Sequence, residues 1–337
     1  MAHLKPGDEA PDDAGGRDRA QLLLLAGFVL AAIFVAFAFL LNAVIFAENL
    51  ATRGEGSRTT HAVTTADDVA AGTEGVIVYA NEHNTSETNY SPLVTELESG
   101  IADLERLVGT QQLADGGVLR VEHVSHRRAT WIDQSYQERD FNSSTDSENW
   151  TLFTNSDGAR AFRIHVTDPD RLQDVNTSNT VRNFTVVAGD GAGTTWKMAV
   201  YHDNYGADGP SGTNYVVKVT DGNDNTGTCA IDDDGNPFWI NVSAGTFGGM
   251  ECPVLRFGEN VSTIREVRYD NGDNIYGTYR LMAAKDEGSI ALSYNSTSDP
   301  PPATTTAIYN ATVHVTYDSG DLYYETDRTA EPERDDE

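Results

Sequence analysis

Histidines and clustered acidic residues are the residue types in this chain that could bind a metal, so their spacing matters first. His123 and His126 are the closest pair of histidines. In a strand, a spacing of three places two side chains on opposite faces, which is unsuited to joint metal ligation. The acidic segments 221–225 and 232–236 share part of the oxygen pattern of calcium loops, but neither completes the twelve-residue loop with its terminal Glu. We interpret both as turns and predict no metal site, although a cation would be sought there first.

The motifs of common enzymes are incomplete. The segment GPSG at 209–212 lacks the strand-to-helix context of a nucleophile elbow, and the Gly-rich segment 189–196 lacks the lysine of a phosphate-binding loop. Acidic pairs are too numerous to single out a glycosidase dyad. The sequence therefore predicts no catalytic residue, no cofactor and no enzymatic activity.

The composition is strongly acidic. The chain has 52 Asp and Glu against 23 Lys and Arg, a net charge of −29, and only four of the basic residues are lysines. Such a surface repels the phosphates of nucleic acid, so nucleic acid is not an expected partner. In molar salt the Debye length falls to about 3 Å, so carboxylates that are farther apart than this distance no longer repel one another. The composition indicates a protein suited to very high salt, with a dedicated cation-binding surface as the alternative.

The longest apolar run lies near the N-terminus. Residues 22–41 are twenty consecutive apolar residues, which as a helix would span roughly 30 Å, the thickness of the hydrocarbon core of a bilayer. Arg17 and Arg19 precede the run and Glu48 is the first charge after it. The positive-inside rule therefore predicts an N-terminus inside the cell and a C-terminal portion outside. The expected localisation is the cell membrane, crossed once, with membrane lipid as a partner.

The start of this run differs from an ordinary secretion signal, whose apolar region is shorter and whose leader is basic. Here the leader has five acidic against three basic residues. The residues Arg19, Ala20, Gln21 and Leu22 resemble the archaeal prepilin-type (class III) signal. That resemblance implies cleavage between Ala20 and Gln21 by a prepilin peptidase, with the apolar helix retained. Type IV pilins often carry Glu at the fifth mature position, where this chain has Leu25.

The resemblance extends over most of the chain. The segments DRAQLLLL, NWTLF, GARAFRIHV and YDNGDNIYGTYRL, together with Cys229 and Cys252-Pro253, are similar to a haloarchaeal family of single-pass envelope proteins of unknown function. It implies compartment and architecture and supplies no activity.

Two cysteines, Cys229 and Cys252, follow the membrane segment. In an exported portion disulfides persist, so we expect these two to pair. The closed loop would stabilise the fold by roughly 3 kcal/mol through the entropy of the unfolded chain. Metal ligation is the weaker alternative, because two thiols without a nearby Cys or His pair make a poor site.

Sequons for N-glycosylation occur ten times, whereas chance gives about three or four for this content of Asn, Ser and Thr. The excess favours a heavily glycosylated outer surface, with turn composition as the plain alternative. The sequon at Asn89 is set aside because Pro92 follows closely. The predicted glycosylation sites are Asn84, Asn142, Asn149, Asn176, Asn183, Asn241, Asn260, Asn295 and Asn310.

The predicted secondary structure changes from helices to strands along the chain. Apolar residues recur at helical spacing over 66–80 and 94–108, with Ser91 as N-cap and Pro92 at the first position of the second helix. From Gly116 onward, ten short, mostly alternating runs separated by Gly, Asn and Asp predict antiparallel strands. They are VLRVEHV, WTLF, AFRIHV, FTVV, WKMAVY, YVVKVT, FWINVS, IREVRY, YGTYRL and ATVHVTY. The segments YDNGDNIYG and YDSGDLYY are each interpreted as a hairpin.

The predicted fold is α+β: an N-terminal transmembrane helix, a short helical layer and then a mainly antiparallel β-sandwich ectodomain. The helical stripes would pack on the sheet, or would form an oligomer seam. The domain boundaries that we predict are 1–19 for a cytoplasmic acidic leader, 20–47 for the transmembrane helix, 48–112 for a linker and membrane-proximal helices, 113–326 for the β-rich extracellular domain and 327–337 for an acidic disordered tail.

The expected function is that of a membrane-anchored, pilin-like cell-surface glycoprotein of a halophilic archaeon, with a structural or adhesive role. Its expected partners are a prepilin peptidase and other pilin-like subunits. The alternative is a surface-anchored carbohydrate-binding or hydrolytic β-sandwich module, whose sugar site would be lined by exposed aromatic residues. The candidates for that lining are Trp196, Tyr201, Tyr205 and Trp239, although such residues more often lie in a core.

Overall fold

The structure, a computed structural model, describes residues 34, 59–84, 89–114, 116–174, 182–204, 214–285, 288–292, 302–320 and 322–332. The chain divides into two compact units, Met1–Val63 and Thr64–Glu337. Of the first unit, Phe34 and residues 59–63 are described, and all are helical. Apart from Phe34, the predicted membrane segment 20–47 lies outside the described residues. Among the described residues, no helix combines the length and the apolarity needed to span a bilayer.

Within residues 59–114, two helices precede the sheets, as predicted. Helix α1 is helical at every described residue from 59 to 83, and α2 runs over Ser91–Ala114. Gly72 is unfavourable for a helix in isolation, yet a Cβ there would lie 2.6 Å from Cδ1 of Leu104 in α2. A Cβ at Gly100 of α2 would lie 2.4 Å from Cγ1 of Val76 in α1. The two glycines therefore permit the close contact between the helices.

The start of α2 differs slightly from the prediction. Ser91 is the first helical residue, and its N–H donates to Oδ1 of Asn89 at 3.0 Å. Tyr90, whose main-chain oxygen accepts from the N–H of Val94 at 3.0 Å, therefore occupies the N-cap position that was predicted for Ser91. The Asn89 side chain satisfies one N–H of the first turn. The apolar stripe is confirmed from Leu97 onward, whereas Leu93 takes the buried position predicted for Val94, which is half-buried.

Fifteen strands follow in the described part of the chain, and every strand pair is antiparallel. Each of the ten predicted runs contributes to a strand, although FWINVS, IREVRY and YGTYRL each have one or two residues outside the strand. In chain order the strands are β1 (Gly117–Gln134), β2 (Trp150–Thr154), β3 (Ala159–Val166), β4 (Phe184–Gly189), β5 (Thr195–Asp203), β6 (Asn214–Thr220), β7 (Thr226–Asp232), β8 (Phe238–Asn241), β9 (Thr246–Phe247), β10 (Met250–Glu251), β11 (Glu266–Asp270), β12 (Gly277–Ala283), β13 (Ala291–Leu292), β14 (Ala303–Ser319) and β15 (Leu322–Ala330).

The strands form two sheets. One has eight strands in the order β10-β9-β8-β3-β12-β1-β14-β15, and the other has seven in the order β13-β2-β11-β4-β5-β6-β7. The inward side chains of both sheets share one core, in which Phe162, Ile164 and Leu281 of the first sheet join Val186 and Val217 of the second. The mainly antiparallel sandwich predicted from the sequence is thus confirmed.

The helices pack on the two longest strands. A second apolar cluster contains Ile77 of α1, Leu97 of α2, Leu119 and Val121 of β1, and Val313 of β14. The side-chain amide of Asn81 in α1 also donates to the main-chain oxygen of Ile308 at 3.0 Å and accepts from its N–H at 2.8 Å. The prediction of a helical layer against the sheet is therefore confirmed.

One predicted hairpin is wrong and the other is confirmed. YDNGDNIYG connects β11 to β12, which belong to different sheets. The reason is a left-handed residue at Asn271 (φ 58°), followed by a 3₁₀ turn at Gly272–Asn274 and a fully buried Ile275. This connection is long enough to carry the chain across the core. The segment YDSGDLYY does form the β14–β15 hairpin, with Tyr317 opposite Tyr324.

The last strand extends farther than predicted. Residues 327–330 were predicted to belong to the disordered tail, but they form the end of β15 and pair with residues 311–314 of β14. In β15, exposed and half-buried side chains alternate, but the strand contains charged residues where a buried strand would have apolar ones. Edge strands are often rich in charge, so their composition resembles that of a disordered tail. Residues 333–337 lie outside the described residues.

Candidate functional site on the outer face of the eight-stranded sheet

The predicted disulfide is present. Cys229 lies in β7 and Cys252 directly follows β10, and their Cα atoms are 5.8 Å apart. Strand β7 is the edge of the seven-stranded sheet and β10 is the edge of the eight-stranded sheet. The bond therefore joins the two sheets at one open side of the sandwich.

The acidic segment 221–225 forms a turn. Oδ1 of Asp221 accepts from the N–H groups of Asn223 (2.9 Å) and Asn225 (2.8 Å). Its Oδ2 accepts from the side-chain amides of Asn225 (2.9 Å) and Asn260 (2.8 Å). These hydrogen bonds, foremost that from the Asn225 side chain, lower the pKa of Asp221. The carboxylate closes the β6–β7 hairpin and holds the loop that carries the Asn260 sequon.

We expect Asp221→Ala to lower the urea midpoint of unfolding, and this loss should depend on pH. The folded-state pKa is lowered, so the stabilisation is present above the ordinary aspartate pKa of about 3.9 and disappears as the pH falls through the lowered value. Urea titrations of the wild type and the variant across that range measure this. Asn223→Ala removes only an exposed side chain and should match the wild type. A difference between wild type and Asp221→Ala that stays constant into strong acid would contradict the assignment.

The histidine pair corrects the sequence interpretation. A β-bulge lies between His123 and Ser125 in β1, so the two histidines share a face instead of lying on opposite faces. Nδ1 of His126 is 3.4 Å from Nε2 of His123, and Glu98 approaches Nδ1 of His123 to 3.6 Å. Burial, and then the neighbouring His123, lower the pKa of His126. Within the described residues, no group of three His, Cys, Asp or Glu side chains is arranged to hold a metal ion.

Sequence reasoning missed a second histidine cluster. Nδ1 of His202 is 2.8 Å from Oδ1 of Asp174, and its Nε2 is 2.9 Å from Oδ2 of Asp233. The ring of Tyr215 lies beside it, 5.2 Å between centroids. The partners are 28 and 31 residues away in the chain, so no local pattern could have indicated the cluster. It ties β5 to the connection between β7 and β8.

Strand alternation creates a polar face on the eight-stranded sheet. Phe162, Ile164 and Val166 of β3 point into the core, so Arg163 and His165 point to the outer face. The same period places two side chains of β8 on this face, Trp239 and Asn241, next to β3. The runs AFRIHV and FWINVS contain this alternation, but the pairing of β3 with β8 is non-local and was not predicted.

Trp239 is the centre of this face. Its ring stacks on His165, with centroids 4.2 Å apart and planes 7° from parallel. The residue is nevertheless 47% exposed, and it borders a cavity of about 500 Å³ that Gly248, next to β9, also lines. That cavity is also lined by Arg163, Asn241 and Thr246. Its volume is within the range of small-molecule sites.

A second lobe also borders Trp239. This cavity of about 320 Å³ is bordered by Asp133, Arg163, His165, Trp239 and Arg280, among others. Arg163 lines both lobes, and no ion pair within the described part of the chain holds its guanidinium. Its Cζ lies 5.8 Å from the centroid of the Trp239 ring. The outer face thus offers an exposed indole beside guanidinium donors, a combination that can bind a sugar ring and its oxygen atoms.

The far end of this face is more tightly packed. Cζ of Arg280 lies 3.9 Å from the centroid of Trp131, and its Nε lies 3.8 Å from Oδ2 of Asp133. Burial raises the pKa of Asp133, while Arg280 and Arg163 oppose that rise. Asn81 of α1 helps to close the small cavity at Trp131. The open part of the face is therefore the part around Trp239.

The other aromatic candidates do not line this face. Trp196 and Tyr201 are buried in the fold, with 0% and 2% exposure, which excludes them from an exposed sugar site. Tyr205 lies outside the described residues. Of the three candidates within the described residues, Trp239 is the one that is exposed.

The predicted sequons occupy different environments. Asn149 and Asn260 are exposed, and Asn84, Asn183 and Asn241 are half-buried. Two others are buried: Asn142, whose amide donates to Asp140 and Asp146, and Asn310 in the middle of β14. The remaining two, Asn176 and Asn295, and the cleavage-site residues 19–22 lie outside the described residues.

Comparison with known protein families gives a match over the first half of the chain. Residues 16–180 match the profile of DUF7261, a family of unknown function, and the match covers just under half of the chain. It includes the predicted membrane segment, both helices and strands β1–β3. No curated protein matches the chain, and no solved structure matches it. The match agrees with a resemblance to a family of unknown function and supplies no activity for the outer face.

Proposed function

We propose that the chain is a membrane-anchored, pilin-like cell-surface glycoprotein of a halophilic archaeon, with a structural or adhesive role. The observation that carries the proposal is the Cys229–Cys252 bond between the two sheets, because such disulfides persist outside the reducing cytosol. It agrees with the orientation inferred from Arg17, Arg19 and Glu48 around the apolar run.

Two further observations support this function. The apolar run of residues 22–41 suits a bilayer or the core of a filament, and the residues at 19–22 resemble a prepilin signal. The net charge of −29 suits an outer domain in concentrated salt. Exposed sequons at Asn149 and Asn260 offer glycans a place on that domain.

The decisive measurement is the mature N-terminus of the protein isolated from membranes of its native host. We expect a mass that begins at Gln21, because processing before the apolar helix removes the leader and retains the helix. Arg19→Asp is expected to abolish that processing, while Lys5→Asp, which changes an equal charge in the leader, should not. A mass beginning at Met1 or Ala2 would exclude prepilin processing. A processed protein that purifies only as a membrane monomer would exclude filament assembly and leave export intact.

A second function is favoured by a specific observation, the half-exposed Trp239 between two cavities. In this alternative, the β-sandwich is a surface-anchored carbohydrate-binding module, and the outer face takes a free saccharide by stacking on the indole. In this alternative the sugar on the indole is a free saccharide and not a glycan of the chain itself, so added glucose or glucuronate should protect Trp239 from oxidation in a chain whose Asn241 carries no glycan.

A further inference from the structure

The exposed indole of Trp239 and a sequon asparagine share one surface. Trp239 and Asn241 are two residues apart in β8 and point to the same face, so their Cβ atoms are about 7 Å apart. Both line the cavity of about 500 Å³. A group attached to the Asn241 side chain therefore starts at the wall of the cavity that Trp239 also lines.

The orientation of both side chains suits such a group. His165 covers one face of the Trp239 ring, so a ligand can stack only on the other face, and Trp239 and Asn241 line the same cavity. Oδ1 of Asn241 accepts from the N–H of Ala244 at 2.9 Å, which sets the plane of the amide. Gly249 also lines the cavity. It adds no side chain there, and a Cβ at this position would meet no atom within 4 Å, so the cavity is open on this side.

We propose that Asn241 is glycosylated and that the first sugar of its glycan stacks on the open face of Trp239. The axial C–H groups of a pyranose then cover the indole, and Arg163, opposite Asn241 in the β3–β8 pair, donates to the sugar oxygens or to an acidic substituent. The cavity is thereby filled by a glycan of the same chain. This inference rests on the proposed function, since it requires export to a glycosylating compartment.

The test uses the full chain purified in detergent from membranes of the native host. Glycopeptide mass spectrometry measures the occupancy of Asn241, Asn149 and Asn260. Oxidative footprinting then measures the oxidation rate of Trp239, with the fully buried Trp196 as internal reference for an intact fold. We expect occupied Asn241 and an oxidation rate of Trp239 at least about threefold lower in the wild type than in Asn241→Gln, because the sugar covers the exposed face.

Matched samples separate the glycan from the fold. Asn149→Gln removes a sequon elsewhere on the surface and should leave the oxidation of Trp239 at the wild-type rate. Deglycosylation of the wild-type protein should raise the rate to that of Asn241→Gln, while Trp196 stays protected. This second route does not depend on the variant folding normally.

Each contrary result has a distinct meaning. Absence of glycan from every sequon would overturn both this inference and the glycoprotein part of the proposed function. Glycans at Asn149 or Asn260 with bare Asn241 would overturn the inference alone, as would an occupied Asn241 with equal Trp239 oxidation in the wild type and in Asn241→Gln. Protection of Trp239 by added glucose or glucuronate in a chain with bare Asn241 would overturn it in favour of the carbohydrate-binding alternative.

Discussion

Replacing Phe141 with Ala is expected to lower the free energy of unfolding of the β-sandwich by about 3–5 kcal/mol, the largest effect that we predict for a single substitution. The ring is fully buried between the sheets. It makes edge contacts with Phe184 (5.3 Å between centroids) and Tyr279 (4.8 Å), and a tilted contact with Tyr269 (5.8 Å). One side chain thus joins β4 and β11 of one sheet to β12 of the other.

The cavity left by Phe141→Ala should not close by movement of the backbone. The N–H of Phe141 donates to the oxygen of Gly272 at 2.9 Å, and its own oxygen accepts from Nε1 of Trp150 at 2.8 Å. Because both main-chain groups are held, little collapse is possible and the loss should be near the upper end of the range.

Denaturant titration of the full chain in detergent, followed by tryptophan fluorescence, measures this loss. Tyr136→Ala is the matched control. Tyr136 lies in the same β1–β2 connection as Phe141 and is also aromatic, but it is 54% exposed. That variant should stay within about 0.5 kcal/mol of the wild type. Equal midpoints for Phe141→Ala and Tyr136→Ala would show that the aromatic cluster does not hold the sheets together.

The burial of Phe141 could not be predicted from the sequence. The residue stands among polar neighbours in the segment DFNSS, without the period of a helix or a strand, so nothing local indicates a core residue. The helices and ten strands were predictable because their apolar residues recur at periods of 3.6 or 2. A residue in a connection is buried by the partners that the fold brings to it, and those partners are far away in sequence.

The same distinction applies to the outer face. The alternation in β3 and β8 predicts which side chains leave the core, and therefore that Arg163, His165 and Trp239 point outward. It does not predict that β8 lies beside β3, which is what stacks His165 on Trp239. The prediction that His123 and His126 lie on opposite faces of β1 was wrong for a related reason. The bulge after His123 reverses the alternation of faces, and a single sequence gives little indication of a bulge.

Removing the disulfide is expected to have the second-largest effect. The Cys229–Cys252 bond closes a loop with a sequence separation of 23 residues, and loss of that restraint should lower the free energy of unfolding by about 3 kcal/mol. The pair of substitutions Cys229→Ala and Cys252→Ala tests this by denaturant titration at high salt. Cys252 is 1% exposed, so reduction of the wild type must be done in the unfolded state and compared after refolding.

The two treatments control each other. Reduced wild type and the double alanine variant should have nearly the same midpoint, while a reductant should leave the variant unchanged. Because the bond joins the edge strands β7 and β10 of the two sheets, hydrogen exchange should increase first in β7 when it is absent. A protein made in a reducing cytosol would lack the bond and lose all of the stabilisation that it provides, whereas an exported protein would keep it. Equal midpoints for exported and cytosolic protein, each measured as isolated, would therefore remove the main structural support for the proposed extracellular location.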